Sequence, residues 1–221
     1  LGWSRHDRFA VAMFQPADEF CEGRLCYLQI QEIESEGIDR AFLFEGRIVL
    51  SMHGKNSSEA DFAKRAERYA KKYGFRAGIS EPFDDFTKFR SYFKQAGLAL
   101  DCLLRKQDAN ESLVRYRQCA LDHICSILVD NEDSIMLIHP ALGILRSCQD
   151  EGDLQFLKTL DCLLESGMNY SEAARKLHLH RNSLMYRIKR IEELTGVDLK
   201  DPSERMWLAL SFKITDFANA R

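Results

Sequence analysis

Arg181, Asn182, Ser183, Tyr186, Lys189 and Arg190 crowd into one short stretch near the end of the chain, and their types are those that read a nucleic-acid groove. Arginine offers a two-pronged donor to guanine and asparagine a donor and acceptor pair to adenine, while tyrosine, serine and lysine bond phosphates or base edges. Between them Leu184, Ile188, Ile191 and Leu194 repeat at i, i+4, i+7 and i+10, the spacing of one buried helical stripe. At about 100° per residue, Asn182, Tyr186 and Lys189 point away from that stripe, with Ser183 and Arg190 on one flank and Arg181 on the other. From Arg175 to Arg190 the cations are Arg175, Lys176, Arg181, Arg187, Lys189 and Arg190, with no carboxylate between them. Such a block is drawn to a polyanion. Arg187 lies close to the apolar stripe by angle, so a contact with DNA and a bond to Glu172 or to a helix end are both open to it.

These residues need elements that hold them outward. Ser171 is expected to cap a short helix over 172–177, with Glu172 in its first turn, where the helix dipole favours a carboxylate. Ala173 and Ala174 carry almost no bulk, so a second helix can cross close above them. His178, Leu179 and His180 would form the turn, with Leu179 as its apolar plug. A basic amphipathic helix alone is commonly a solvated surface. The order of short helix, three-residue turn and polar-fronted second helix is what points to a helix-turn-helix. The surface expected to face DNA comprises His180, Arg181, Asn182, Ser183, Tyr186, Arg187, Lys189 and Arg190, joined by Arg175 and Lys176.

The segment Asn169-x-Ser-x-Ala-Ala-x-x-Leu-x-Leu-x-Arg-Asn-Ser-Leu-x-Tyr-Arg-Ile-x-x-Ile-Glu-Glu-Leu-Thr-Gly196 resembles the C-terminal DNA-binding domain of bacterial regulators of the purine-catabolism (PucR) and sugar-diacid (CdaR) family. More distantly, Ala-Ala-x-x-Leu-x-Leu-x-Arg-x-Ser-Leu is similar to the Fis-type helix-turn-helix. Many such motifs have glycine where this chain has His178, a left-handed turn position that glycine fills at little cost and histidine tolerates better than most.

The whole chain sets bounds. Its 221 residues allow one to two domains. A formal net charge of -3 means that any DNA affinity comes from a local patch opposed by acidic surface elsewhere. Seven cysteines without a Cys-x-x-Cys pair suggest neither a zinc site nor a disulfide framework, and a reducing cytoplasm fits best. Neither a long apolar run nor a signal-peptide pattern is present, so membrane insertion and export are not expected. Leu1 is not an initiator methionine, and the sequence reads as the remainder of something longer.

Along the rest of the chain, Phe9 to Phe14 reads as a buried strand ended by Pro16. Asp18 can cap a helix through about Glu34, with Phe20, Leu28 and Ile33 among its apolar positions and Gly37 beyond its end. The β-rich runs 41–44 and 47–50, separated by Glu45-Gly46, give a hairpin signal. Ser57 or Ser58 opens a helix to Lys72, with Phe62, Ala66, Tyr69 and Ala70 inward and Tyr73-Gly74 as its close. A strand over 75–79 and a helix over 85–106, with Phe89, Phe93, Ala96, Leu100 and Leu103 at helical spacing, complete an α+β order around a mixed sheet.

That order, with Arg76-Ala-Gly-Ile-Ser80 before the long helix, resembles the degenerate GGDEF-like domain found ahead of the helix-turn-helix in the same family. An active diguanylate cyclase carries Gly-Gly-Asp/Glu-Glu-Phe at its hairpin, whereas this turn is Phe44-Glu45-Gly46-Arg47. It lacks the adjacent glycines that let a nucleotide approach and the paired acids that hold Mg²⁺. The domain is therefore expected to be a non-catalytic scaffold or dimerisation surface, with Glu45 a plain turn residue.

Residues 112–119 could add a strand, and 120–129 a helix with Leu121, Ile124, Cys125 and Leu128 on one face. His139-Pro140 is expected to start a helix into 141–149, with Pro140 fixing the first turn. The resemblance extends to this pair, since a His-Pro precedes the DNA-binding region in the family. The best linker is 150–153, and Asp153 can cap a supporting helix over 154–165 whose Leu157, Leu160, Leu163 and Leu164 face the helix-turn-helix, with Gly167 ending it. Asp201-Pro202 starts a last helix with Trp207, Leu210, Ile214 and Phe217 on one face. The expected organisation is an α+β GGDEF-like domain over 1–110, a helical connector over 111–152 and a helix-turn-helix domain over 153–221.

The reading implied is a bacterial transcriptional regulator of metabolic genes, not an enzyme, that binds double-stranded DNA as a homodimer with no cofactor. A small-molecule effector would act through a region outside this chain, as in its family. Two rivals stand beside it: a nucleotide-binding or cyclase-like signalling domain on residues 1–110, and a helical tail that uses its basic helix on an acidic protein.

Overall fold

The computed structural model describes residues 7–16, 30–31, 33, 39–106, 111–130, 134–147 and 154–219. They fall into two compact units, Leu1–His123 and Ile124–Arg221. The first is an α+β unit on a five-stranded mixed sheet, and the second is helical.

The sheet order is β2-β3-β1-β4-β5, with β1 (Asp7–Pro16), β2 (Arg40–Phe44), β3 (Arg47–Lys55), β4 (Phe75–Ile79) and β5 (Leu113–Arg115). All neighbours pair antiparallel except β4 and β5, which run parallel. The β2–β3 hairpin turns on Glu45 (φ 48°) and Gly46 (φ 77°). Both residues are left-handed, as the two-residue turns that match strand twist require. β1 is buried on both faces because side chains alternate along a strand. Ala10, Ala12 and Phe14 pack with Phe62, Ala66 and Tyr69 of α1 (Glu59–Tyr73), while Phe9, Val11 and Met13 pack with Ala96 and Leu100 of α2 (Phe89–Lys106).

Local chemistry sets these helix ends. Ser58, not Ser57, is the N-cap of α1, exchanging bonds with Asp61, and Gly74 closes the helix at φ 68°. Asp85 accepts from the Thr87 N–H and starts a short 3-10 turn, Phe86–Lys88, that leads into α2. Gly78 lets α2 lie on β4, since a Cβ there would sit 2.1 Å from the Leu100 nitrogen and 2.4 Å from the Ala96 oxygen. The helix expected from Asp18 to Glu34, with Phe20, Leu28 and Gly37, lies outside the described residues except at Ile30, Gln31 and Ile33. Ile30 and Ile33 are buried in the α1-side core.

The expected strand is corrected in the next segment. The strand over 112–119 is only Leu113–Arg115, because the Gln118 side chain accepts from the Arg115 N–H at 2.8 Å and opens α3 (Tyr116–Val129) there. Cys119 packs against Ala99, Cys102, Leu103 and Val114, and that rotation leaves Leu121 and Ile124 exposed, with Cys125 buried. The elements within 111–152 pack in different cores. β5 belongs to the sheet, whereas Ala141, Leu142 and Leu145 of α4 (Pro140–Ser147) enter the core of the helical unit.

That core is completed by α5 (Leu154–Glu165), α6 (Tyr170–Lys176), α7 (Arg181–Thr195) and α8 (Pro202–Asn219). His139-Pro140 starts α4 as expected: Pro140 is the first helical residue, and His139 Nδ1 accepts from the Ala141 N–H at 3.1 Å. Buried His139 also ties α8 down, its N–H donating to Ser211 Oγ at 2.9 Å and its Nε2 lying 3.1 Å from Glu204 Oε2. The inward face of α8 is Leu208, Ser211, Phe212 and Ile214. Trp207, expected inward, is 40% exposed, because its Nε1 donates to the Leu137 carbonyl at 2.8 Å. The expected linker 150–153 and the Asp153 cap lie outside the described residues, as do Cys21, Cys26 and Cys148. Among the described residues no helix is long and apolar enough to cross a membrane.

Candidate nucleic-acid interface

The supporting helix comes first. Leu160 and Leu163 of α5 are buried and Leu157 and Leu164 half-buried against the helix-turn-helix, as the leucine spacing indicated. α5 ends before Gly167, which is left-handed at φ 59°. The next cap corrects an expectation: Asn169, not Ser171, caps α6, its side chain accepting from the Glu172 N–H at 3.1 Å, while Ser171 is exposed. Ala173 and Ala174 are buried where α7 crosses.

The turn follows the motif with one exchange of roles. His178 takes the left-handed conformation at φ 54°, where related motifs often have glycine. The Leu179 N–H donates to the Ala174 carbonyl at 2.9 Å, and its side chain, like that of Leu177, is half-buried. Leu177 packs against the core instead and serves as the plug. His180 is extended and caps α7, its Nδ1 accepting from the Asn182 N–H at 3.3 Å. A residue expected to face DNA thus also fixes where the second helix begins.

Along α7, Leu184, Ile188 and Ile191 are buried and Leu194 is half-buried. Arg181, Asn182, Ser183, Tyr186, Lys189 and Arg190 are exposed, Tyr186 at 70%. Met185, an apolar residue on the same helix, is also exposed. The carboxylates flanking the cationic block take up part of it. Glu172 lies 3.2 Å from Lys176, and Glu193 lies 3.8 Å from Lys189 and 3.3 Å from Arg190. The four-residue spacing of Lys189 and Glu193 made that pair readable in advance. Exposed pairs of this kind contribute about 0–1 kcal/mol, so phosphates can displace them. Arg175 and Arg181 have no ion pair among the described residues.

Arg187 behaves differently. It is half-buried, and its guanidinium donates to Gln155 Oε1 and, at 3.4 Å, to Thr159 Oγ1, both on α5, rather than to Glu172. Gln155 and Phe156 line a surface groove with Asn182, Ser183, Tyr186 and Arg187. Spacing within α7 could not reveal Gln155, which lies 32 residues away.

In the sheet unit, Arg47 at the Glu45-Gly46 turn is paired with Asp101 of α2 at 2.8 Å. Among the described residues, no three His, Cys, Asp or Glu side chains gather as a group that could hold a metal ion.

Known proteins divide the chain in the same order. A GGDEF-like domain matches residues 1–102, and a PucR C-terminal helix-turn-helix domain matches residues 156–214. The purine catabolism regulatory protein of Bacillus subtilis (strain 168) is 38% identical over 87 residues, 39% of this chain and 16% of that protein. The proline-responsive transcriptional activator PutR of the same organism is 37% identical over 73 residues, 33% of this chain and 18% of that protein. The match to this chain thus spans less than a fifth of the length of either relative. A crystal structure of a regulator of polyketide synthase expression from Bifidobacterium adolescentis aligns over 99% of this chain and 84% of that one. The TM-score is 0.42 and the sequence identity 16%.

Proposed function

From the premise that the chain belongs, through its GGDEF-like and helix-turn-helix domains, to the PucR family of regulators, we propose that it is a sequence-specific DNA-binding transcriptional regulator of bacterial metabolic genes. The observation that carries the reading is the front of α7, where Arg181, Asn182, Ser183 and Tyr186 stand exposed on a helix held by Leu184, Ile188 and Ile191. α7 enters the major groove with its first turns against the bases, while Lys189, Arg190, Arg175 and Lys176 meet phosphates. One such helix reads only a few base pairs, each worth about 1–3 kcal/mol of discrimination, so a homodimer on paired half-sites supplies the specificity. The protein works in the cytoplasm, and an effector acts through a region outside this chain. The sheet unit is a non-catalytic scaffold. Its Glu45-Gly46 turn offers one acid, and the neighbouring Arg47 is engaged by Asp101. The working division is a GGDEF-like domain over 1–110, a connector over 111–152 that supplies β5 and α4, and a helix-turn-helix domain over 153–221.

The test is selection of bound duplexes from a random pool at two salt concentrations, followed by sequencing. A two-fold symmetric motif is expected, and its half-site spacing would give the dimer geometry. Unselective binding at both salts, or acidic peptides competing as well as duplex DNA, would replace this reading with a protein-binding role for the basic helix.

A further inference from the structure

We infer that Arg187 is a positioning residue, locked by Gln155 and Thr159 so that the groove-reading end of α7 is held in register on α5; this rests on the DNA-binding reading above. Thr159 is fully buried, and its hydroxyl donates to the Gln155 carbonyl at 2.6 Å. A hydroxyl has one proton to give, so an oxygen lone pair is what it turns toward the Arg187 guanidinium. The other prong of Arg187 donates to the Gln155 side chain. One planar fork therefore grips residues four apart on α5, successive positions on one helix face.

The grip is placed where it matters for reading. Arg187 stands one turn beyond Ser183 and beside Tyr186, and all three line the same groove with Gln155. Leu184 and Ile188 fix the depth of α7 through apolar contacts, which are not directional. The Arg187 fork adds direction, limiting rotation of α7 about its own axis at the end that carries Asn182. Both of its partners are neutral. The guanidinium thus keeps its full charge toward the DNA without touching a phosphate, which a glutamate at position 155 would cancel.

Lysine keeps the charge of Arg187 but not its fork, so Arg187→Lys separates the two roles. Affinity for the selected duplex and for random duplex would be measured across salt for the wild type, Arg187→Lys, Gln155→Ala and the double variant, with circular dichroism melting as a control for folding. The expected result is a fall of about tenfold in the ratio of selected to random binding, the value of one base contact, in each single variant. The double variant should be no worse than either single one, and the salt slope should stay unchanged. A second variant, Gln155→Glu, should keep the ratio while weakening binding to both duplexes. An intact ratio in Arg187→Lys would overturn the lock. So would Arg187→Gln if it lowered the salt slope by about 0.9, the share of one lost phosphate contact, while Gln155→Ala changed nothing. A wild type that selects no duplex removes the underlying reading and the proposal with it, whereas selection by the wild type with an intact ratio in Arg187→Lys removes the lock alone.

Discussion

In the sheet unit several arginines reach across the fold, whereas on the reading face of the helical unit every cation but Arg187 stays on its own helix or meets solvent. Arg47 joins β3 to Asp101 of α2, Arg65 donates to the His53 carbonyl at 3.1 Å and lies 3.5 Å from buried Asp39, and Arg117 bridges Glu59 at 2.8 Å and Glu81 at 2.6 Å. On the helical unit, Lys189 and Arg190 meet Glu193, four and three residues away, and Arg175 and Arg181 meet no carboxylate among the described residues. A pair that crosses between elements is part of the fold. A pair on one exposed helix turn can be exchanged for a phosphate at little cost. The same residue types therefore have a structural use in one unit and remain on offer in the other.

The strongest challenge to this contrast is Gly78→Ala. The added Cβ meets backbone rather than a flexible side chain, so the sheet unit should lose about 3 kcal/mol. Calorimetry should show its transition falling steeply, with binding of the selected duplex retained by the helical unit. Loss of binding in step with the sheet would end the idea that the units use their charges separately.

Next in size, Arg181→Ala and Asn182→Ala should each lose about 1–3 kcal/mol of discrimination between selected and random duplexes. Their melting should shift by less than about 0.5 kcal/mol, because both side chains are exposed. Equal loss on selected and random DNA would assign them to phosphates instead.

A smaller effect sharpens the comparison from the other side. Glu193→Gln releases Lys189 and Arg190, and titration should find every duplex bound a few-fold more tightly with the selected-to-random ratio unchanged. Unchanged affinity would mean that those cations do not face DNA.

The smallest concerns Asp161 in the helical unit. Burial first, then the neighbouring Glu165, hold its carboxyl above the ordinary aspartate value. The folded state thus binds that proton more tightly than the unfolded state, so ionised Asp161 costs stability above the raised value. Asp161→Asn should raise the melting temperature slightly at neutral pH, and the gain should vanish in acid below the ordinary value. Glu165, pulled below the ordinary value by its bond to Lys213, has the opposite sign and loses its contribution in acid. A melting gain for Asp161→Asn that persists in acid would trace to packing instead.

Much of the fold and of the candidate site was legible because the determinants are local. The Glu45-Gly46 hairpin, the cap at Ser57 or Ser58, the Ala173-Ala174 pair and the Leu184, Ile188, Ile191 stripe each depend on residues within a turn or two of one another. Where two local solutions compete, spacing alone is ambiguous. Ser171 and Asn169 can both cap a helix, as Leu179 and Leu177 can both plug the turn, and packing selected Asn169 and Leu177.

The sequence by itself determined the order of elements, the mixed α+β unit followed by a helix-turn-helix, and which side of α7 faces solvent. Only the tertiary structure decided the buried sides of α3 and α8. Both carry apolar residues around much of their circumference, so periodicity cannot choose among them. Cys119 turns α3, while Ser211 and Glu204, bonded to His139, turn α8. The same holds for Arg187. Its partners Thr159 and Gln155 stand 28 and 32 residues away, and a contact between helices depends on their relative rotation, which no spacing within either helix encodes.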